Sequence, residues 1–185
     1  MIDVDGDQST NDTVLVLANG AAGGPEIQAD SSVAAKAFRD ALTYVCTELA
    51  KELVRDGEGA QRLIEVVVEG AKTLGDARTA AREIAGSLLV KAMVHGRDPN
   101  WGRIMMALGK SGIEFSESEV DLFIGGIHVV HSGVAIPYLK DAVISAMGVL
   151  ELQVRVDVNA GDAAATAWGC DLTEEYVTFN SAYST

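Results

Sequence analysis

The sequence predicts an α/β (α+β) fold, a layered sandwich of mixed sheets and helices. Three observations predict it: a long amphipathic pattern at residues 32–55, a run of branched residues at 63–68, and several strand-like segments beyond Gly112. Strands and helices mixed in this order are typical of a layered domain. The chain of 185 residues is long enough to bury a hydrophobic core, so we expect a single domain over residues 1–185.

The first half of the chain alternates apolar segments with glycine-rich turns. Residues 13–18 form a continuous apolar run, which predicts a short buried strand. Residues 32–55 predict a helix, because apolar side chains recur at four-residue spacing, at Val33, Ala37, Ala41, Val45, Leu49 and Leu53. The two glycines in residues 56–59 end this helix. Residues 63–68 then predict a strand, and residues 76–94 predict a second helix.

The second half of the chain has a mostly strand-like pattern. Short helices are predicted at residues 101–108 and 138–146, with a last helical turn at 172–178. The predicted strands cover residues 120–124, 127–130, 150–158 and 163–170. The Asn-Ala-Gly-Asp turn at residues 159–162 has the composition of a hairpin turn, so we expect the last two strands to pair through it.

The charge and composition exclude several classes of protein. Acidic residues outnumber Lys and Arg by 27 to 14 and the formal net charge is −13, whereas a nucleic-acid-binding surface needs a basic face. Cys46 and Cys170 do not make a disulfide framework, which is typical of a reducing compartment. Residues 1–7 do not resemble a secretory signal, and no segment is long and apolar enough for a membrane span. We therefore expect a cytoplasmic protein with neither nucleic acid nor membrane as a partner.

Two patterns in the sequence resemble metal sites. Residues 3–7 alternate aspartates as a calcium loop does, but the glycine and glutamate of such a loop are not at the required positions. His128 and His131 have a His-x-x-His spacing, yet on a regular strand this spacing directs the two rings to opposite faces. His95 stands apart from both in the sequence. We expect no metal site and no bound cofactor.

Two loops contain the side chains best suited to contact a small molecule. Glu58 lies between two glycines, where the backbone can approach a ligand closely and a carboxylate can face an ammonium group. The same pattern also fits a helix end with an exposed acid. Residues 96–103 combine charge, amide, indole and glycine, which suits either a recognition loop or a structural loop fixed by Arg–Asp bonds. The residues alone leave both alternatives open at each loop.

Five stretches of the chain together resemble a known enzyme family. They are VDGDQSTNDT at residues 4–13, DGEGA at 56–60, SLLVK at 87–91, DPNWGRI at 98–104, and the ending DLT…YV…NSAYST at 171–185. In this order and spacing the chain is similar to the ornithine acetyltransferase family of arginine biosynthesis, also called the bifunctional glutamate N-acetyltransferase family. The resemblance covers the whole chain and corresponds to the C-terminal part of the family's β chain.

The resemblance implies a self-processed acetyltransferase. A precursor cleaves itself before a threonine, which becomes the first residue of the β chain and the acyl nucleophile. This threonine takes the acetyl group from N-acetylornithine and passes it to glutamate, and some members also accept acetyl-coenzyme A as the donor. The α chain of the same precursor supplies the oxyanion hole, and the implied assembly is an α2β2 heterotetramer.

The chain departs from the family pattern near its start. The family's β chain has a few dozen residues between the nucleophile and the Val-Asp-Gly-Asp loop, whereas only three residues precede Val4 here. The threonines inside that loop do not lie at a processing junction. We therefore expect no catalytic residue in this chain, a threonine nucleophile upstream of Met1, and an inactive fragment when the chain is alone. Gln61 and Arg62 also stand where the family usually has Thr and Lys.

Three substrate-binding positions of the family match residues of this chain. By this resemblance Glu58 corresponds to an acidic substrate contact, while Asn180 and Thr185 correspond to tail positions that close over the substrate. The chemistry is suitable, because an acyl-ornithine offers an α-carboxylate and a cationic amine to these polar groups. Aromatic residues spaced to dock the tail are Tyr176, Phe179 and Tyr183.

The other charged residues of the matching stretches are expected to be structural. We expect Lys91 to extend its amine from an apolar helix toward solvent, and Arg103 to fix its loop through Asp98. Two further functions remain compatible with the sequence. One is a related self-processing aminopeptidase with an N-terminal nucleophile, and the other is a non-catalytic binding or assembly module of the same fold.

Overall fold

The computed structural model describes residues 1–27 and 29–182. Contacts within the chain divide it into two units: Met1–Gly6 with Lys51–Thr185, and Asp7–Ala50. The single domain expected over residues 1–185 stays a prediction.

A mixed β-sheet forms the framework of the first unit. Its strands are β1 (Ile2–Asp3), β2 (Leu63–Ala71), β3 (Asp121–Ile124), β4 (Ile127–His131), β5 (Val134–Ala135), β6 (Glu151–Asp157) and β7 (Ala163–Cys170). They lie in the order β1-β7-β2-β6-β3-β4-β5. Strand β2 lies inside the sheet because it pairs in parallel with β6 on one side and antiparallel with β7 on the other.

Helix α2 (Leu74–Gly86) packs against the sheet of the first unit. Helix α1 (Val33–Arg55) precedes β2 in the sequence. The helices that follow β2 are α2, α3 (Leu88–His95), α4 (Trp101–Lys110), α5 (Lys140–Ala146) and α6 (Glu174–Ala182). Helix α2 packs on β2 and β7, and α3 and α4 pack on α2. Alternate residues of β2, Ile64 and Val66 among them, are fully buried in this core. The predicted α/β fold of layered sheet and helices is confirmed.

The prediction that the last two strands form a hairpin is wrong. Strand β2 lies between β6 and β7, so these strands do not pair with each other. The turn at residues 159–162 instead wraps the end of β2, where Val158 N–H donates to Glu69 O at 3.0 Å and Ala160 N–H to Gly70 O at 2.7 Å. A Cβ atom at Gly161 would lie 2.6 Å from a backbone oxygen of β2, so this turn needs glycine for close approach and not for a hairpin.

The single helix predicted at residues 76–94 is two helices. It begins earlier, at Leu74, because the Thr73 hydroxyl accepts the Asp76 N–H as an N-cap. It breaks at Ser87, which has an extended conformation with ψ of 117°. Beside the break, a Cβ atom at Gly86 would lie 2.9 Å from an Asp3 carboxylate oxygen. The close approach of β1 therefore accompanies a break that helical periodicity does not reveal.

Strand β4 contains a β-bulge that the sequence analysis did not anticipate. Leu122 pairs with Val130, whereas the next residue, Phe123, pairs with His128, so Val129 is an extra residue in β4. The regular alternation on which His128 and His131 were assigned to opposite faces is therefore interrupted. The opposite-face prediction is wrong, and both histidines approach Asp121.

The second unit contains a long polar and apolar loop followed by most of α1. The strand predicted at residues 13–18 is absent from the described residues of this unit, and its side chains are exposed, Leu17 by 92%. An apolar run forms a strand only where a neighbouring strand satisfies its backbone groups. Helix α1 is confirmed, but its predicted apolar stripe is exposed, with Val33 88% and Leu49 58% accessible.

Within the described residues, no helix combines enough length with enough apolar character to cross a membrane.

Candidate functional site

Glu58 lies on the tight turn that follows α1. The turn is built by glycines in close contact with the rest of the first unit. A Cβ atom at Gly57 would lie 3.0 Å from a Val4 methyl group, and one at Gly59 would lie 2.7 Å from the Tyr176 nitrogen. Gly59 also has a φ of +68°, which favours glycine. The flanking glycines therefore seat the turn against its neighbours, while the Glu58 side chain remains exposed.

Asn180 lies on α6 and contacts Glu58 directly. Its Nδ2 donates a hydrogen bond of 2.6 Å to Glu58 Oε2, and a second bond of 3.0 Å to Tyr176 O within the helix. Two residues that are far apart in the sequence thus form one exposed carboxylate–amide pair. The third predicted ligand, Thr185, lies outside the described residues, and so does Tyr183.

Helix α6 is fixed to the first unit near its start. The Thr173 hydroxyl donates to Gly59 O at 2.8 Å, and the Tyr176 hydroxyl donates to Asp5 Oδ2 at 3.2 Å. Tyr176 therefore docks the tail as the sequence analysis expected. Phe179 does not, because it is 57% exposed.

Asp171 is a positioning residue that the sequence analysis missed. Its Oδ1 accepts the N–H groups of Gln61 and Arg62, both at 2.8 Å, and its side chain is fully buried. Its Oδ2 accepts from the Arg62 guanidinium and contacts His95 Nδ1, both at 3.3 Å. This one carboxylate fixes the chain just after Glu58 to the chain just before α6. No local pattern signals it, because its partners lie far away in the sequence.

Lys91 was expected to extend its amine toward solvent, and this prediction is wrong. Its side chain is 1% exposed. The ammonium group donates to Val4 O at 2.9 Å, Cys170 O at 3.2 Å and Asp3 O at 3.3 Å. It also lies 3.2 Å from Asp3 Oδ1 in an ion pair. Lys91 therefore satisfies backbone carbonyls at the edge of the sheet and fixes the start of the Val-Asp-Gly-Asp loop.

The loop at residues 96–103 has contacts typical of a structural element. Arg103 lies 3.8 Å from the Asp98 carboxylate and donates to Leu89 O at 3.2 Å. Asp98 N–H donates to Met93 O at 3.0 Å. These bonds tie the loop to α3, as the structural alternative of the sequence analysis expects.

Two ionisable groups beside the site have shifted pKa values. Burial raises the pKa of the Cys170 thiol, and the nearby Asp171 and Asp3 raise it further, while Lys91 opposes the shift. The pKa of the exposed Glu174 carboxyl is lowered by a hydrogen bond from its own backbone N–H and by the neighbouring His95. The thiol is therefore protonated at neutral pH and the acid is ionised.

We expect the two cysteines to react with thiol reagents at very different rates. Cys46 is exposed, whereas Cys170 is buried and its raised pKa leaves little thiolate. With an iodoacetamide reagent near pH 8, the folded protein should label quickly at Cys46, and Cys170 should label only in guanidinium. Peptide mass spectrometry measures both sites. Cys46→Ser should abolish the fast labelling, and fast labelling of Cys170 in the folded protein would contradict the burial described above.

The site consists of an exposed carboxylate and an exposed amide on two chain segments that hydrogen bonds hold in place. Asp171, Lys91 and Thr173 fix the two chain segments that carry Glu58 and Asn180. A carboxylate beside an amide suits a small ligand that has a cationic amine and further polar groups. The fold and the site thus describe an α/β chain with an exposed carboxylate–amide pair on its surface.

Comparison with known proteins agrees with the motifs of the sequence. The chain belongs to the ArgJ family, whose model matches residues 1–185. It is 52% identical over 185 residues to the "Arginine biosynthesis bifunctional protein ArgJ" of Symbiobacterium thermophilum. It is 44% identical over 188 residues to the "Glutamate N-acetyltransferase" of Methanopyrus kandleri. Both alignments cover 100% of this chain, but only 46% and 48% of the relatives, so the chain spans about half their length.

A solved structure has the same fold. The crystal structure of the arginine biosynthesis bifunctional protein ArgJ from Bacillus halodurans aligns with a TM-score of 0.94 at 39% identity. The alignment covers 98% of this chain and 85% of the crystallised chain. The family resemblance inferred from the five motifs is therefore confirmed, and so is the fold class.

Proposed function

We propose that this chain is part of a glutamate N-acetyltransferase that transfers an acetyl group from N-acetylornithine to glutamate in arginine biosynthesis. Its nucleophile is an N-terminal threonine on protein upstream of Met1, generated by self-cleavage of a precursor. The chain forms the C-terminal part of the β subunit of a cytoplasmic enzyme. Alone, it has no transferase activity, and acetyl-coenzyme A is a second donor to be tested in the complete assembly.

One observation carries this proposal at the level of the site. The Asn180 Nδ2 to Glu58 Oε2 hydrogen bond, at 2.6 Å, joins two positions that the family resemblance independently assigns to the substrate. The name of the 44% identical Methanopyrus kandleri relative supports the same acetyl-transfer chemistry.

The reaction divides into two half-reactions, and the chain contributes to binding in each. The threonine oxygen attacks the acetyl carbonyl, ornithine leaves with its amine restored, and the amine of glutamate then takes the acetyl group from the threonine. Glu58 pairs with the cationic side-chain amine of N-acetylornithine, and Asn180 bonds a neighbouring polar group. Glutamate has no side-chain amine to pair with Glu58, so we infer that Glu58 serves mainly the first half-reaction.

The proposed partner is the α chain of the same precursor, in an α2β2 heterotetramer. Exposed apolar surface in the second unit supports a partner of this kind. Leu15, Leu17 and Val33 are 76%, 92% and 88% exposed, and Val45 and Leu49 of α1 are 49% and 58% exposed. Contiguous apolar surface is typical of a region that another protein covers.

Acetyl exchange in the complete assembly tests the proposal. The chain, extended upstream to its threonine and produced with the α chain, should transfer labelled acetyl from N-acetylornithine to glutamate with ping-pong kinetics. Mass spectrometry of the β subunit should show an acetyl group on the N-terminal threonine when glutamate is omitted. The matched control is the same assembly with that threonine replaced by alanine.

The alternative functions give different results in the same assay. Hydrolysis of peptide amides without acetyl exchange would favour a self-processing aminopeptidase. Stable association without turnover of either substrate type would favour a binding or assembly module. Either result would overturn the acetyltransferase proposal.

A further inference from the structure

A cluster of two histidines and one aspartate lies on β3 and β4, next to the last strand of the sheet, β5. Asp121 is the first residue of β3, and His128 and His131 lie on β4. Ligand atoms of the three side chains all lie within 4.8 Å of one another. None of these residues belongs to the Glu58–Asn180 site, and the proposed acetyl transfer does not use them.

The β-bulge creates this cluster. In a regular antiparallel pair, residues 128 and 131 would point to opposite faces. Because Val129 is an extra residue, the register moves by one, and Leu122 pairs with Val130. Continuing that register brings His131 opposite Asp121, and its Nδ1 lies 2.8 Å from Asp121 Oδ1. The bulge thus turns an alternating His-x-x-His pattern into two imidazoles beside the same carboxylate.

The His128 ring is held in place by stacking. It lies parallel to the Phe123 ring, with centroids 4.2 Å apart and an interplanar angle of 12°. From the neighbouring strand β6, the Arg155 guanidinium lies 3.7 Å from the centroid of Phe123, and Arg155 also donates to Glu69 at 3.1 Å. A ring fixed in this way points its Nε2 in a defined direction at little further entropic cost.

That nitrogen has no hydrogen-bond partner. His128 Nε2 is buried and unpaired, and it lies 3.6 Å from Asp121 Oδ1, beyond hydrogen-bond distance. A buried polar atom without a partner is costly and needs an explanation. The carboxylate that it faces is itself oriented, since Asp121 Oδ1 also accepts the Ser132 N–H at 2.9 Å. Orientation of a carboxylate by a second bond is typical of metal-ligand sites.

The donor atoms and their spacing fit a transition metal. Tetrahedral zinc binds imidazole nitrogen and carboxylate oxygen at about 2.0–2.2 Å, which places neighbouring ligand atoms about 3.3 Å apart. The two distances to Asp121 Oδ1, 2.8 Å from His131 and 3.6 Å from His128, bracket that separation. Two nitrogens and one oxygen suit Zn²⁺, Co²⁺, Ni²⁺ or Cu²⁺, whereas Mg²⁺ and Ca²⁺ prefer all-oxygen sites.

We propose that Asp121, His128 and His131 form a binding site for a divalent transition metal ion of the zinc class. Water completes the coordination, because the His131 side chain is 60% exposed and leaves one side of the cluster open. The ion joins β3 to β4 across the bulge and gives His128 Nε2 the partner that it lacks. The bound ion stabilises the pairing of β3 with β4, and the site does not depend on the proposed acetyltransferase activity.

Calorimetric titration of the untagged, chelator-treated protein with Zn²⁺ tests the site. We expect one ion per chain with low-micromolar affinity, and visible d–d absorption when Co²⁺ replaces Zn²⁺. His128→Gln and His131→Gln should each weaken Zn²⁺ binding by at least about tenfold, the scale of losing a metal-site contact. His95→Gln is the matched control, because His95 contacts Asp171 and Glu174 instead, and it should bind Zn²⁺ unchanged.

A measurement on the unaltered protein guards against misfolding of the variants. Imidazole ¹H–¹⁵N correlation spectra should show His128 and His131 shifting with Zn²⁺ while His95 stays in place. The proposal is overturned if Zn²⁺ does not bind, if the His128 and His131 variants bind it as well as His95→Gln does, or if Mg²⁺ binds equally tightly. The last result would indicate general attraction to a surface of net charge −13.

Discussion

Glu58→Gln should lower kcat/KM for N-acetylornithine about tenfold in the complete enzyme, while kcat/KM for glutamate should stay within about twofold. The substitution removes the charge of the exposed carboxylate but leaves an oxygen that can still accept from Asn180 Nδ2, now 2.6 Å away. A charge-assisted bond to the ornithine amine is worth about 1.5 kcal/mol, which corresponds to the tenfold loss. Ping-pong kinetics report the two half-reactions separately, so the effect can be assigned to the donor.

A different exposed acid, Glu175 on α6, provides the control for this experiment. Glu175→Gln removes an exposed carboxylate from the residue next to Tyr176, without altering the Glu58–Asn180 pair. It should leave both kcat/KM values unchanged. Equal losses for donor and acceptor in Glu58→Gln would contradict a donor-specific role, and unchanged kinetic constants would remove Glu58 from the substrate site.

Lys91→Met should destabilise the protein by about 3–5 kcal/mol, the usual cost of breaking a buried ion pair by removing one partner. The methionine would leave the carbonyls of Asp3, Val4 and Cys170 without their donor, in a place where the lysine is 1% exposed. It would also leave the Asp3 carboxylate without its counter-charge. Urea unfolding followed by circular dichroism measures the change in free energy of unfolding.

The same substitution at a surface lysine separates burial from the loss of a lysine. Lys110 is 72% exposed and pairs with Glu83 at 2.6 Å, so Lys110→Met should change stability by less than about 1 kcal/mol. Adding Asp3→Asn to Lys91→Met should recover part of the loss, because the unpaired carboxylate is then neutral. A Lys91→Met protein as stable as Lys110→Met would show that the carbonyls find other partners.

Local patterns predicted where helices and strands lie in the sequence better than they predicted which elements pair or pack with one another. Strand β7 begins and ends at the predicted residues, 163 and 170. The pairing of β6 with β2 has no local signal, and neither has the break of the long helix at Ser87 beside Asp3. Apolar residues 13–18 met the criterion for a buried strand, but the criterion does not test for a strand partner.

The sequence identified Glu58 and Asn180 as candidate ligands, which stays a prediction, and it did not reveal the residues that hold them in place. Glu58 and Asn180 were identified because the family resemblance supplied positions that spacing alone left ambiguous. Asp171 and Lys91 make hydrogen bonds to backbone groups of residues far away in the sequence, and no local motif reveals such bonds. The His128–His131 geometry was predicted wrongly for a similar reason, because a single bulge residue reverses the alternation and leaves no mark in composition.

The insertion of β2 between β6 and β7 also has a consequence for how the chain folds. The two later segments are joined by a short turn, so they can meet quickly and form a transient hairpin before the distant β2 segment arrives. Any such hairpin would have to open before β2 could take its place between the two strands. We therefore expect substitutions that weaken the pairing of β2 to increase aggregation during refolding, even where they leave the side chains of β6 and β7 unchanged.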